Sequence, residues 1–229
     1  MDMKMFCYQC QEAAKNTGCT IKGSCGKSAD ESNLMDLLIY VVKGISIYSK
    51  KAREQGLQYD QERVNRFVFE GLFATITNTN FDQDAIIEYI RQGLDVRNSL
   101  RQTLKEQGLQ FSQDELHDAA TWQGFTKDEF LRKGHAIGVL DTENEDIRSL
   151  RELVTYGVKG IAAYAEHAWN LNHKNDEVYH IMQDALAATT DERLGADDLI
   201  SWVMQTGKHG VDVMALLDQA NTSAYGHPE

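Results

Sequence analysis

Proline is almost missing from this chain: among 229 residues there is one, Pro228. Proline lacks an N–H and clashes with the preceding turn, so without it helices can run long and unbroken. No stretch of ~20 apolar residues occurs, which excludes a membrane-spanning helix. Positive charge is short as well. There are 23 Lys and Arg against 35 Asp and Glu, a net charge of -12 and a pI of about 5.0. Nucleic-acid binders present a basic face, so that class is not expected. The start, Met1 to Phe6, is too short and too polar for a secretory signal. A cytoplasmic protein is expected, with Met5 as a natural start. There is no glycine-rich phosphate loop, no Gly-x-Ser-x-Gly elbow and no helical His-x3-His pair. No β-strand alternation stands out.

What is present is helical periodicity. Leu34, Leu37, Leu38, Val41, Val42, Ile45 and Tyr48 recur at three- and four-residue steps and predict a helix from about Asn33 to Gly56. Asp30 or Ser32 is its expected cap. Further helices are expected at Gln61–Thr77, from Asp82 to about Gly108, at Ser112–Trp122, and at Thr126–Arg132 with Thr126 as cap. The last three are expected at Glu143–Asn172, Asp176–Thr189 and Ala196–Asn221.

The chain repeats itself. Leu37-Leu-Ile-Tyr-Val-Val-Lys-Gly-Ile45 aligns without a gap on Leu153-Val-Thr-Tyr-Gly-Val-Lys-Gly-Ile161, 116 residues later. Gly71-Leu-Phe-Ala-Thr75 echoes Ala185-Leu-Ala-Ala-Thr189. An all-α fold of two repeated three-helix bundles is expected, behind an N-terminal cysteine-rich loop. The boundaries read 1–30 for the loop, 31–110 for the first bundle, 111–142 for a connecting segment and 143–229 for the second bundle. Glycine costs about 1 kcal/mol inside a helix. Its use at Gly44 and Gly160, in one register, predicts close helix approach at both.

All four cysteines lie in one short segment, as Cys7-x2-Cys10-x8-Cys19-x5-Cys25. Thiolates are soft ligands that select iron–sulfur clusters, zinc or cuprous copper. Structural zinc sites usually pair two short Cys-x2–4-Cys knuckles, and only one is present here. The wider spans suit wrapping something larger than one ion. An iron–sulfur cluster, [4Fe-4S], one per chain, is therefore the first reading, with zinc second. Two disulfides would need an oxidising compartment. A redox Cys-x-x-Cys would need a βαβ context, which is absent. Lys4, Lys15, Lys22 and Lys27 give the first 27 residues a local charge of +2 in an acidic chain. Lys15, Lys22 and Lys27 either offset the charge of an anionic cofactor or form an ordinary solvated surface. The seven histidines and Trp122, Trp169 and Trp202 read as packing or surface residues.

The residues also carry a resemblance. Met5-Phe-Cys-Tyr-Gln-Cys-Gln-Glu-Ala-Ala14, Thr17-Gly-Cys19 and Gly23-Ser-Cys-Gly-Lys27 resemble the N-terminus of the hybrid-cluster protein family, also called prismane proteins or hydroxylamine reductases. The likeness continues through Asp36-Leu-Leu-Ile-Tyr40, Thr77-Asn-Thr-Asn-Phe81, Tyr156-Gly-Val-Lys-Gly160, Glu166-His-Ala168 and Tyr225-Gly-His-Pro228. It implies an all-helical N-terminal domain whose Cys7, Cys10, Cys19 and Cys25 hold a [4Fe-4S] cluster. It also implies electrons from a reductase or ferredoxin-like donor. In that family hydroxylamine is reduced to ammonia, and nitric oxide is also reduced. That chemistry occurs at a second, hybrid cluster whose ligands include several cysteines. No cysteine follows Cys25. The chain is therefore expected to be an electron-transfer portion with no catalytic residues of its own and little or no activity. The absent catalytic domains would be its partner. The surface they leave uncovered predicts self-association.

Overall fold

A computed structural model describes residues 5–10, 12–76, 80–111 and 116–227. Among these residues there are eight α-helices and no strand. The helices are α1 (Ala29–Glu54), α2 (Gln61–Ile76), α3 (Gln83–Glu106), α4 (Asp118–Thr121), α5 (Lys127–Ala136), α6 (Glu145–Asn170), α7 (Asp176–Ala188) and α8 (Ala196–Tyr225). The fold is all-α, as expected. Thr77 and the Ser112 end of the expected short helix lie outside the described residues, and so do Pro228 and the Met1–Lys4 start.

Local chemistry sets the helix starts. α1 begins earlier than Asn33, and its cap is neither Asp30 nor Ser32. Ser28 caps it, its hydroxyl accepting from the Glu31 N–H while the Glu31 carboxylate accepts from the Ser28 N–H. This reciprocal pair satisfies two otherwise unpaired N–H groups. Thr126 and Glu129 do the same for α5, as the sequence predicts. α8 runs four residues past Asn221 to Tyr225.

α1 is the central helix. Leu34, Leu37, Leu38, Val41, Val42, Ile45 and Tyr48 are all at most 1% exposed. Each such side chain contributes roughly 1.5–3 kcal/mol on leaving water. Around α1 the packing is symmetric under exchange of the two sets, α1–α3 and α6–α8. α1 packs on α3 as α6 packs on α8; α1 meets α7 as α6 meets α2. Each long helix thus touches the middle helix of the other set. One buried cluster runs from Leu34 to Val213 through both sets. The echo in the middle helices extends to a hydrogen bond. Thr75 Oγ1 donates to the Leu72 carbonyl and Thr189 Oγ1 to the Leu186 carbonyl, each at 2.7 Å.

The paired glycines do not behave alike. A Cβ on Gly44 would lie 2.1 Å from the Ala119 carbonyl oxygen, so α1 and α4 do need glycine there. A Cβ on Gly160 would meet nothing within 4 Å. The expected close approach at Gly160 is absent; on α6 it occurs at Gly157, whose Cβ would lie 2.7 Å from Thr206 of α8. The α4 segment is fastened by buried donors. Arg97 donates to the Ala119 carbonyl at 2.8 Å and the Trp122 carbonyl at 2.6 Å, and Tyr48 donates to the Ala120 carbonyl at 3.0 Å.

Candidate metal centre

The four cysteines sit on the loop that leads into α1. Cys7 and Cys19 are backbone partners: each N–H donates to the other's carbonyl, at 3.0 and 2.9 Å. This pins the two ends of the Cys7–Cys19 span together. Inside the span, the Ala13 N–H donates to the Cys10 carbonyl at 3.3 Å, and a short 3-10 turn follows at Ala14–Asn16. Beyond Cys19, a second tight turn joins Gly23 to Gly26 at 2.9 Å and to Lys27 at 2.8 Å. Gly23 leaves room for a sulfur, since a Cβ there would lie 3.0 Å from Cys25 Sγ.

All four thiols are free. Among the described residues, no three His, Cys, Asp or Glu side chains gather tightly enough to hold a single metal ion. The surroundings of Cys19 suit an anionic thiolate. Cys19 is 4% exposed, and its Sγ accepts from the Ala14 N–H at 3.4 Å. That bond, helped by Ser24, holds the Cys19 thiol below its ordinary pKa against the opposing effect of burial. Burial and the Asp36 carboxylate push the Cys7 thiol up; the Gln9 N–H, the Ser32 hydroxyl and Lys27 work against that rise. Ser32 is 1% exposed, and Cys7 is the one group its hydroxyl acts on among the described residues. Four soft donors on one short loop, with N–H groups at Cys7 and Cys19 and a buried hydroxyl beside Cys7, fit an iron–sulfur group.

The lysines near this loop divide. Lys15 and Lys22 are exposed, which makes them solvated surface. Lys27 is 4% exposed and acts on Cys7. A second buried cation was not found by the sequence reading: Lys159 of α6, also 4% exposed. Its Nζ donates to Gln9 Oε1 at 2.7 Å, and Gln9 Nε2 donates to Asp36 Oδ1 of α1 at 2.8 Å. Gln9 lies between Cys7 and Cys10, so this chain of bonds ties the loop to both long helices. Burial, reinforced by Glu152, pushes the Asp36 carboxyl up. Burial pushes Lys159 down, and Asp36 opposes that. The repeat was the available signal for Lys159, because it falls on Lys43 at the 116-residue offset.

Cys10 lines a largely apolar groove of about 720 Å³ together with Phe6 and Tyr8 and with Leu153 and Tyr156 of α6. Tyr8, Leu153 and Tyr156 are each more than half exposed. The tryptophans pack, while the histidines divide: His117 caps α4, accepting from the Ala119 N–H at 3.1 Å, and His135 and His227 are exposed. His167 meets the Phe73 ring edge-on, and Trp169 packs on Phe69 and Tyr179.

An all-helical scaffold thus carries one loop with four free thiols, the donor type that soft metals select. The chain matches the Prismane/CO dehydrogenase family over residues 5–229. It belongs to that family, which is known for iron–sulfur clusters. A hydroxylamine reductase of Desulfitobacterium hafniense (strain DSM 10664 / DCB-2) is 55% identical over 227 residues, covering 99% of this chain and 41% of that protein. Hydroxylamine reductases of Caldanaerobacter subterraneus subsp. tengcongensis and Thermoanaerobacter pseudethanolicus are 52% and 51% identical over the same 99% and 41%. The chain therefore spans about 41% of the length of these relatives. No helix among the described residues is long and apolar enough to cross a membrane.

Proposed function

We propose that Cys7, Cys10, Cys19 and Cys25 hold one [4Fe-4S] cluster and that the chain's role is electron transfer. The observation that carries this reading is the set of four free thiols on one loop, with an N–H directed at Cys19 Sγ and the buried Ser32 hydroxyl beside Cys7. Such a cluster would supply one-electron redox chemistry at a potential set by its charge and hydrogen bonds. The chain's own residues would hold the sulfurs, keep Cys19 out of water and place Lys27 and Lys159 near Cys7. The groove beside Cys10 is the face on which a reductase or ferredoxin-like donor would dock. Four reduced thiols suit the cytoplasm.

In the longer relatives this portion would pass electrons to a catalytic centre elsewhere in the protein, where hydroxylamine is reduced. Ile200, Met204, Val211 and Met214 share one exposed face of α8, each about half exposed or more. That face would pack against the rest of such a protein or, in the isolated chain, against a second copy.

Iron and acid-labile sulfide measured on the anaerobically purified chain test the reading. About four of each per chain are expected. Stoichiometric zinc without sulfide would instead make the loop a redox-silent staple for a helical interaction module, and the electron-transfer role would go with it.

A further inference from the structure

The internal repeat places two acid–lysine pairs in the middle of the molecule. Asp36 and Lys43 lie on α1, and Glu152 and Lys159 lie at the matching positions of α6, 116 residues on in each case. The four groups act on one another electrostatically. Their hydrogen bonding is not symmetric. Between Asp36 and Lys159 stands the Gln9 amide, which donates to the acid at 2.8 Å and accepts from the lysine at 2.7 Å. Lys43 and Glu152 make no hydrogen bond or ion pair among the described residues; they line a polar cavity of about 150 Å³ with Tyr40, Arg148 and Arg151. A duplicated scaffold thus offers two similar attachment points, and the cysteine loop is fastened to one of them.

Gln9 is two residues from Cys7 and one from Cys10, so whatever fixes its side chain also fixes the Cys7–Cys10 turn. Resting on the iron–sulfur reading above, we infer that Lys159 is a positioning residue of the cofactor site: through Gln9 it locks that turn, and it keeps a buried positive charge beside the thiolates. A cubane with four thiolates is a dianion and gains a further negative charge on reduction. A fixed cation next to it favours the reduced form and raises the potential, because charge interactions strengthen when water is excluded. Lys43, its partner in the repeat, carries the same charge on the same scaffold but has no bond to the loop. It is the internal control.

The test compares Lys159→Met, Lys43→Met and Gln9→Leu in the full chain. Midpoint potential is read by mediated titration, and cluster loss is timed in the presence of an iron chelator. Lys159→Met is expected to shift the potential to more negative values and to speed cluster loss several-fold. Gln9→Leu keeps the lysine but cuts the link, so it should speed cluster loss by a similar factor with a smaller shift in potential. Lys43→Met should leave both close to the parent. An unchanged potential in Lys159→Met, or an equal shift in Lys43→Met, would overturn the inference. If Lys159→Met does not fold, Gln9→Leu decides the matter, and parental cluster retention there would also overturn it. A parent chain without iron and sulfide would count against the cofactor reading itself, a different failure.

Discussion

Replacing Cys19 with alanine is expected to leave the chain folded and to strip it of its cofactor. Cys19 is the most enclosed of the four thiols, and it has the best-supported sulfur. Its backbone closes the loop against Cys7. Alanine keeps those backbone bonds and removes only the ligand. Losing even an outer-shell partner of a metal site commonly costs 10- to 100-fold in affinity. Losing a direct ligand should therefore lower iron and sulfide per chain by more than about tenfold. The helices should persist, because the buried cluster that holds them begins at Leu34 and includes no cysteine. Iron and sulfide analysis beside far-ultraviolet circular dichroism separates the two effects. Ile21→Ala, on a residue 88% exposed in the same loop, is the matched control. Equal iron in the Cys19 and Ile21 variants would remove Cys19 from the ligand set.

The two repeat-related glycines should respond to alanine with opposite signs. Gly44→Ala puts a methyl 2.1 Å from the Ala119 carbonyl oxygen and 3.1 Å from the Arg97 side chain. The α4 segment cannot simply withdraw, since Arg97 and Tyr48 hold its carbonyls. Overpacking of this kind costs about 1–3 kcal/mol. Gly160→Ala meets nothing and replaces an exposed mid-helix glycine, so it should stabilise by up to about 1 kcal/mol. In a chain of this size each kcal/mol moves the melting temperature by about 2–4 °C. Thermal and urea melts of the two variants should thus fall on opposite sides of the parent. A neutral Gly44→Ala would mean that α4 moves more freely than its buried hydrogen bonds allow.

Much of this fold is written in local pattern. Helices α3 and α6 end within about two residues of where apolar spacing and breakers place them, because a buried stripe has the same period as the helix that bears it. α1 began earlier than expected because Ser28 and Glu31 form a pair three apart, a signal present in the sequence and passed over. The ligand candidates are legible as a spacing of one residue type. The charges around them were not. Lys15, Lys22 and Lys27 look alike in sequence, and only burial separates Lys27 from the others. Lys159 is far from the cysteines in the chain, and its approach to Gln9 depends on how α1 and α6 are set in space. No helical periodicity reports that placement.

The exchange of packing partners between the two halves has a consequence for how the molecule comes apart. α1 leans on α7 and α6 on α2, so each half would lose one wall of its interior if the other left. Heat should open the whole helical body at once. A cut in the stretch between α3 and α4 should leave two pieces that stay together, each supplying the other's missing wall.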